Sequence, residues 1–499
     1  MEQWKSLGCS TLLAGLLCST AAQADVTAAE VWQSWQDYYG DMGYTLTAGS
    51  EEASGDRLTL RDVTGTSTTP EASGSATIAE VVLTEVDGAV EVTMSPEVPF
   101  DMTTVSEGET VEMSMLFTQP DLQMTISGTP EEMTYDFTAP SLGMTITEMV
   151  VDGTPVEMAL EAVASDVTGT SVMATAGGMT TTQQIAAPSL NFSVSATDPE
   201  TGGTFGMEGR LSDLTGTGTM AMPEGVDMAD MAAALNAGMT IDGSFSYGAG
   251  EYTMDVVDAA DTTNIKASGQ GGSFDVAMAA DALRYGARGT GGQMELTGSQ
   301  IPFPVDISLA ESAFSLLMPV SASDTPAPFA FETRLVDLAV NDEVWAMLDP
   351  MAQLPRDPAT LILDISGAAR MLVDVFDPAQ TAAPEAVPGE LHALDLNELQ
   401  LTFGGAELTG DGSFTFDNTD MVTFEGFPRP LGSVSLKLLG GNGLLDKLIA
   451  MGVVPEEQAM GVRMMAGLFA NAGPGPDELN STIEVREDGG LYANGQRLQ

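Results

Sequence analysis

Chemistry needs groups that can attack, carry a proton or hold a metal, and this chain is short of them. Its two cysteines, Cys9 and Cys18, both lie in the first twenty residues, and its one histidine is His392. A Ser-His-Asp site presents its serine on a sharp turn, and no G-x-S-x-G elbow occurs. His392 stands beside a Pro-rich stretch and reads as a solvated or core-edge side chain. Zinc draws on Cys and His clusters, which are missing. The 31 Met include Met113/Met115 and Met464/Met465, pairs that Cu(I) would accept. They recur at strand or helix spacing, which reads as packing. Asp411, Asp417, Asn418 and Asp420 carry oxygen ligands suited to calcium. Their spacing departs from an EF-hand loop and reads as a solvated hairpin. The 72 Asp+Glu could supply the paired acids of a glycoside hydrolase, but sequence places no two at the required separation. No catalytic, cofactor-binding or metal-ligating residue is nominated, and the expectation is a protein that is no enzyme and has no cofactor.

The first 24 residues explain where the cysteines go. Lys5 gives a positive start, Leu7 to Leu17 a short apolar run, and Ala22-Gln23-Ala24 a small-residue cleavage site. The run is about half of the ~20 residues a spanning helix needs. Cys18 follows Leu17, where a lipobox wants a small residue. The reading is a cleaved secretory leader and a periplasmic mature chain without cysteine. The formal net charge is -56, from 16 Lys+Arg against 72 Asp+Glu. Cleavage would remove Glu2 and Lys5 together and leave the balance unchanged. Nucleic acid is excluded as a partner, since phosphates meet no basic patch. No later run of eighteen uncharged apolar residues occurs, so the mature chain reads as soluble or peripheral to a membrane.

What must position any site is a mainly β body. Thr27 to Tyr39 predicts a helix, with Thr27 and Glu30 as a capping box and Trp32, Trp35 and Tyr39 on one face. From Tyr44 to about Met222 the period becomes two. Val111, Met113, Met115 and Phe117 alternate, as do Val156, Met158 and Leu160. Asp87-Gly88 is a two-residue hairpin signal. Segments recur at irregular spacing: Asp62-Val63-Thr64-Gly65-Thr66, Asp166-Val167-Thr168-Gly169-Thr170 and Asp213-Leu214-Thr215-Gly216-Thr217. Pro120-Asp121-Leu122, Pro140-Ser141-Leu142 and Pro188-Ser189-Leu190 open a second set. They read as strands of one sheet drawn from a similar template.

Asp227 to Ala237 predicts a second helix, with Met228, Met231 and Leu235 on one face. It divides the chain near residue 225 into β-rich halves, 25–225 and 226–499. Strands follow around Phe245, Tyr252 and Phe274. Helices are expected near 341–354 and 444–470, the last with Met460, Met464 and Leu468 as its apolar face. Thr360 to Phe376 reads as a hairpin turning at Ser366-Gly367. Asp377 to Gly389 reads as a loop, Leu394 to Phe416 as strands, and Ile483 to Gly495 as a closing hairpin.

Several elements resemble a known family. They are Val31-Trp32-Gln33-Ser34-Trp35, Val344-Trp345-Ala346-Met347-Leu348-Asp349-Pro350, Leu354-Pro355-Arg356-Asp357-Pro358, Gly440-Gly441-Asn442-Gly443-Leu444-Leu445 and Asp488-Gly489-Gly490-Leu491-Tyr492-Ala493-Asn494-Gly495. Together they look like an exported alphaproteobacterial family, domain of unknown function 2125, over essentially the whole mature chain. That family brings no activity and no site residue. More distantly, Leu394 to Phe416 is similar in style to AsmA-like envelope proteins, which implies long curved sheets and lipid handling.

The expected architecture is a long curved antiparallel sheet with a few packing helices. The expected function is non-catalytic: a periplasmic envelope protein binding a lipid or other apolar ligand in a concave sheet face. A structural or interaction protein with a closed core is the alternative, and a carboxylate hydrolase a third. Partners would be lipid or another envelope protein. Edman sequencing of the exported protein should begin at Asp25; a start at Met1 would contradict the leader.

Overall fold

The computed structural model describes residues 26–69, 72–106, 108–199, 201–226, 230–259, 261–381 and 388–498. The leader, and Met228 of the second expected helix, lie outside them. Helix α1 (Ala28–Asp41) leads into β1 (Thr45–Ser54), β2 (Arg57–Thr68), β3 (Ala72–Val86), β4 (Ala89–Met94), β5 (Glu97–Ser106), β6 (Glu109–Thr118), β7 (Gln123–Thr129) and β8 (Glu132–Val151). Then come β9 (Thr154–Pro155), β10 (Glu157–Ala174), β11 (Met179–Thr197) and β12 (Thr204–Met222). Helix α2 (Met231–Asn236) precedes β13 (Thr240–Tyr247), β14 (Gly250–Asp258), β15 (Asp261–Gly269), β16 (Gly271–Met278), β17 (Leu283–Gly298), β18 (Val305–Met318) and β19 (Ala327–Val340). After α3 (Asp342–Leu348) run β20 (Ala359–Met371), α4 (Pro378–Thr381), β21 (Gly389–Phe403), β22 (Ala406–Asp417) and β23 (Arg429–Leu439). The chain closes with α5 (Gly441–Ala450), α6 (Glu456–Phe469), β24 (Asn471–Ala472), β25 (Glu478–Val485), β26 (Leu491–Ala493) and β27 (Gln496–Arg497).

All of these strands belong to one antiparallel sheet. Its plan is a meander. β13 and β14 pair with β12 in a single register and so act as one interrupted strand. β15 and β16 do the same between them and β17. β4 with β5, and β6 with β7, are interrupted strands of the same kind. The sheet therefore continues across residue 225 without a break in pairing.

The repeated sequence segments have one structural meaning. Asp62, Asp121, Asp166, Asp213 and Asp337 all adopt a left-handed backbone, with φ between 51° and 56° except for Asp166 at 50°. Aspartate tolerates this conformation better than most side chains. Following the register across the sheet, these residues stand level with one another. Pro140 of β8 faces Asp166, which faces Pro188 of β11, which faces Asp213, and the pairing ladder skips each of them. Farther on the same line meets the gap between β13 and β14, then Gly291 (φ 59°), then Asp337. Each break resets the in-out alternation, so that Ala164 and Val167, on either side of Asp166, point to the same face. A residue that interrupts the ladder also bends its strand. With the breaks aligned, the whole sheet is creased along one line.

The crease folds toward the apolar face. Val167, Ala187 and Leu214, just beside it, are buried although no helix among the described residues covers them, and Phe137, Leu142, Leu190 and Leu211 pack on them from both sides. The largest closed core lies at the N-terminal end, where Val31 and Trp32 of α1 roof Leu60, Val81, Leu83, Val90, Val92 and Ile126. Elsewhere, among the described residues, the sheet is a single layer.

Two expected elements are corrected. Ser366-Gly367 is not a turn: β20 runs straight through it, with Gly367 paired to Phe329 and Leu394. A Cβ on Gly367 would lie 2.1 Å from the Ala393 carbonyl and 2.6 Å from the Phe329 ring. This glycine serves close approach between strands, not chain reversal. The third helix is also shorter than 341–354, ending at Leu348.

Because Asp166 sits at φ 50°, a conformation glycine adopts freely, Asp166→Gly should leave the urea midpoint nearly unchanged. Asp166→Val, β-branched at a left-handed position, should cost about 1–3 kcal/mol. Equal midpoints for the two variants would contradict the crease.

Candidate functional site

Residues level across the meander form rows parallel to the crease. On one side, beyond Val167, Ala187 and Leu214, lies a row of Phe137, Gly169, Ile185, Gly216, Phe245, Phe274, Ala287 and Phe314. On the other side Leu142, Ala164, Leu190 and Leu211 come first. Beyond them lies a row of Met144, Ala162, Phe192, Gly209, Tyr252, Ala267, Met294, Ile307 and Val340. The next is Leu160, Val194, Met207, Met254, Ile265, Leu296 and Val305. The rows between these point the opposite way and read Glu161, Ser193, Glu208, Thr253, Lys266, Glu295 and Asp306. One face is thus apolar over many strands and the other charged.

The apolar face is open. Phe245, Phe274, Phe314 and Tyr252 are 37–40% exposed, and Ile185 is 44% exposed. A second layer would bury such side chains. Neighbouring rings meet edge to face instead: Phe274 and Tyr285 at 5.0 Å, Tyr285 and Phe314 at 5.8 Å, Phe314 and Phe331 at 5.5 Å. The Phe137 ring lies where a Cβ on Gly169 would be, and that of Phe192 does the same over Gly209. These two rings lie flat along the sheet. A shallow hollow of about 1090 Å³ is lined largely by the charged rows, including Glu161, Glu208, Arg210, Glu251, Lys266 and Glu295. Its Lys266 and Glu295 form an exposed ion pair at 3.4 Å.

Both ends of the groove carry helices. At the N-terminal end Thr27 and Glu30 make the expected capping box. The Trp32 Nε1 donates to Glu51 Oε1 at 3.0 Å, Trp35 packs on the core, and Tyr39 stays exposed. At the other end Trp345 of α3 stacks on Phe403 at 6.4 Å. The Leu354 N–H donates to Asp349 Oδ2 at 2.6 Å, and Arg356 pairs with Asp342. Pro355 and Leu354 rest on Gly405 and Gly404, where Leu444 and Lys447 of α5 also arrive. The Leu-Pro-Arg element is a fastener, not a reactive group.

The remaining chemical candidates are spread apart. His392 Nε2 lies 3.5 Å from Glu390, whose carboxylate already accepts from Arg370 at 2.8 Å. Asp417 and Asp420 hold Arg429 at 3.2 and 3.3 Å and accept from the hydroxyls of Thr419 and Thr423. Asp411 stands on β22 opposite Ser435. Among the described residues no three His, Cys, Asp or Glu side chains are grouped to hold a metal. The Met460, Met464 and Leu468 face does not pack either. Helix α6 docks through Ala459, and the three are 68%, 72% and 55% exposed. Sequence reasoning also missed Asp477, which accepts from the N–H groups of Asn442 and Gly443 at 3.2 and 2.8 Å and so caps α5. An aspartate 35 residues away leaves no local signal.

The fold defines a creased single-sheet protein with one open apolar face. The chain matches the family described as "Uncharacterized protein conserved in bacteria (DUF2125)" over residues 235–498, just over half its length, and belongs to it. The match leaves Val31 to Trp35 outside, so it is narrower than the expected whole-chain resemblance. No curated protein and no solved structure matches, and the likeness to AsmA-like proteins gains no support.

The helix fasteners are acid-sensitive. N–H groups of Gln353 and Leu354 hold the Asp349 carboxyl below its usual range. Burial raises that of Asp477, but donors from Gly443 and Asn442 outweigh it and the net shift is downward. Groups lowered on folding stabilise above the ordinary carboxylate value of ~3.9, and that contribution is lost as pH falls through the lowered one. Amide protection factors in α3 and α5, taken relative to the intrinsic exchange rate at each pH, should therefore fall on acidification below that value, and Asp477→Asn should blunt the change in α5. A pH-independent protection factor in α5 would contradict the cap.

Proposed function

We propose that this is an exported, non-catalytic protein of the cell envelope that holds a lipid or other long apolar molecule in the creased groove. The carrying observation is the open face itself: three or more aligned apolar rows, partly exposed, with no second layer over them among the described residues. Exposed apolar area of this extent marks a binding surface. Met207, Met254 and Met294 among the rows add side chains that adapt to irregular ligand shapes. The polar groups expected of an active site are not gathered there. An acyl chain lying along the groove would meet side chains from one strand after another every ~4.8 Å.

The charged outer face fits the same reading. It keeps the protein dissolved while the inner face carries apolar cargo. Native mass spectrometry of the protein from its own envelope should show bound lipid. Phe274→Asp with Phe314→Asp, on side chains already part-exposed, should abolish it while circular dichroism stays unchanged. Protein free of lipid that also takes up no fluorescent acyl probe would overturn the reading.

A further inference from the structure

We propose that helix α6 is a membrane-contact surface, seating Met460, Met464 and Leu468 in the interfacial layer of a zwitterionic lipid bilayer. The helix is anchored with this stripe outward. Ala459 is fully buried on the inner side. At the far end the Phe469 carbonyl accepts from Ser481 Oγ at 2.6 Å and from Asn494 Nδ2 at 2.9 Å. The stripe is therefore a held surface and not a frayed end. Met465 and Val462 flank it and are also exposed.

Charge selects the occupant. The chain has 72 Asp+Glu, yet residues 458–476 contain none, and Arg463 is their one charged side chain. Arg463 itself pairs with Asp446 of α5. Glu456 and Glu457 stand in the first turn of α6, and the rest of this exposed helix carries no acid, which in a chain this acidic suits it to leaving water. A second copy would bring another formal charge of -56 toward the first. A zwitterionic bilayer brings no such repulsion, and an apolar helix face of this kind lies in its headgroup boundary. Position points the same way. Helices α5 and α6 stand at the C-terminal end of the sheet, joined through Leu444, Gly404 and Leu354 to α3. There Met347, Leu348 and Met351 are likewise exposed. Resting on the groove reading, this end is where a lipid would pass between bilayer and groove.

The test is vesicle flotation of the exported protein with phosphatidylcholine vesicles. Wild type should float. Met460→Asp with Met464→Asp should lower the bound fraction by about tenfold or more, since two apolar contacts are exchanged for charges. Substituting half of the lipid with phosphatidylglycerol should weaken binding at low salt, and added salt should restore it, the reverse of a basic peripheral protein. Wild type that fails to float, or a variant that floats equally, overturns the proposal. So does a dimer in vesicle-free sedimentation that the variant dissolves, which would make the occupant a second copy. Uptake of an acyl probe without vesicles separates the two readings. It should be unchanged in the α6 variant. Flotation without any probe uptake would remove the groove and leave the membrane surface standing.

Discussion

The structure depends on a backbone constraint: strand after strand is interrupted at one level by aspartate, proline or glycine. A strand of β10's length would otherwise run straight, with its twist accumulating across the sheet. The left-handed aspartates break the ladder, reset the alternation and bend the strand. Proline supports the same line from the facing strands, since it has no N–H to offer the ladder. Because the breaks are level, their bends add to a single crease instead of cancelling. The crease draws the apolar rows of both sides toward each other and gives Val167, Ala187 and Leu214 the burial that the single layer otherwise lacks.

This arrangement reconciles a large apolar content with a large exposed surface. A closed sandwich would bury its rows between two sheets. Here the second sheet is absent and the far side of the same sheet takes part of its place. The two ends are handled differently. Trp32 and Val31 close the N-terminal end with a conventional core. At the other end Trp345, Leu354 and Asp477 fasten helices whose outer faces remain apolar.

What was legible in the sequence was local or periodic. The α1 capping box, the Asp87-Gly88 hairpin and the period-two strands depend on neighbours within a few residues, and each is present. The Asp-Val-Thr-Gly-Thr repeats were visible as repeats, but their meaning depended on register, which no single strand carries. Gly367 shows the limit from another side. A glycine between two apolar runs fits both a turn and a close strand approach, and only the facing Phe329 and Ala393 distinguish them. The Met460 stripe shows a third. Amphipathic spacing shows that a helix has an apolar face, not that anything in the same chain covers it.

The charged rows of this chain, with its 72 acids, occupy the opposite face of the same strands from the apolar rows. On the proposed reading, function resides in the shape of a face more than in any single side chain. Photo-crosslinking with a diazirine-bearing fatty acid, followed by peptide mapping, tests this most directly. The account predicts attachment along the inner rows, at or beside Tyr252, Phe274, Met254 and Phe314. Attachment confined to the charged face around Glu208 and Lys266, or scattered over both faces alike, would contradict it.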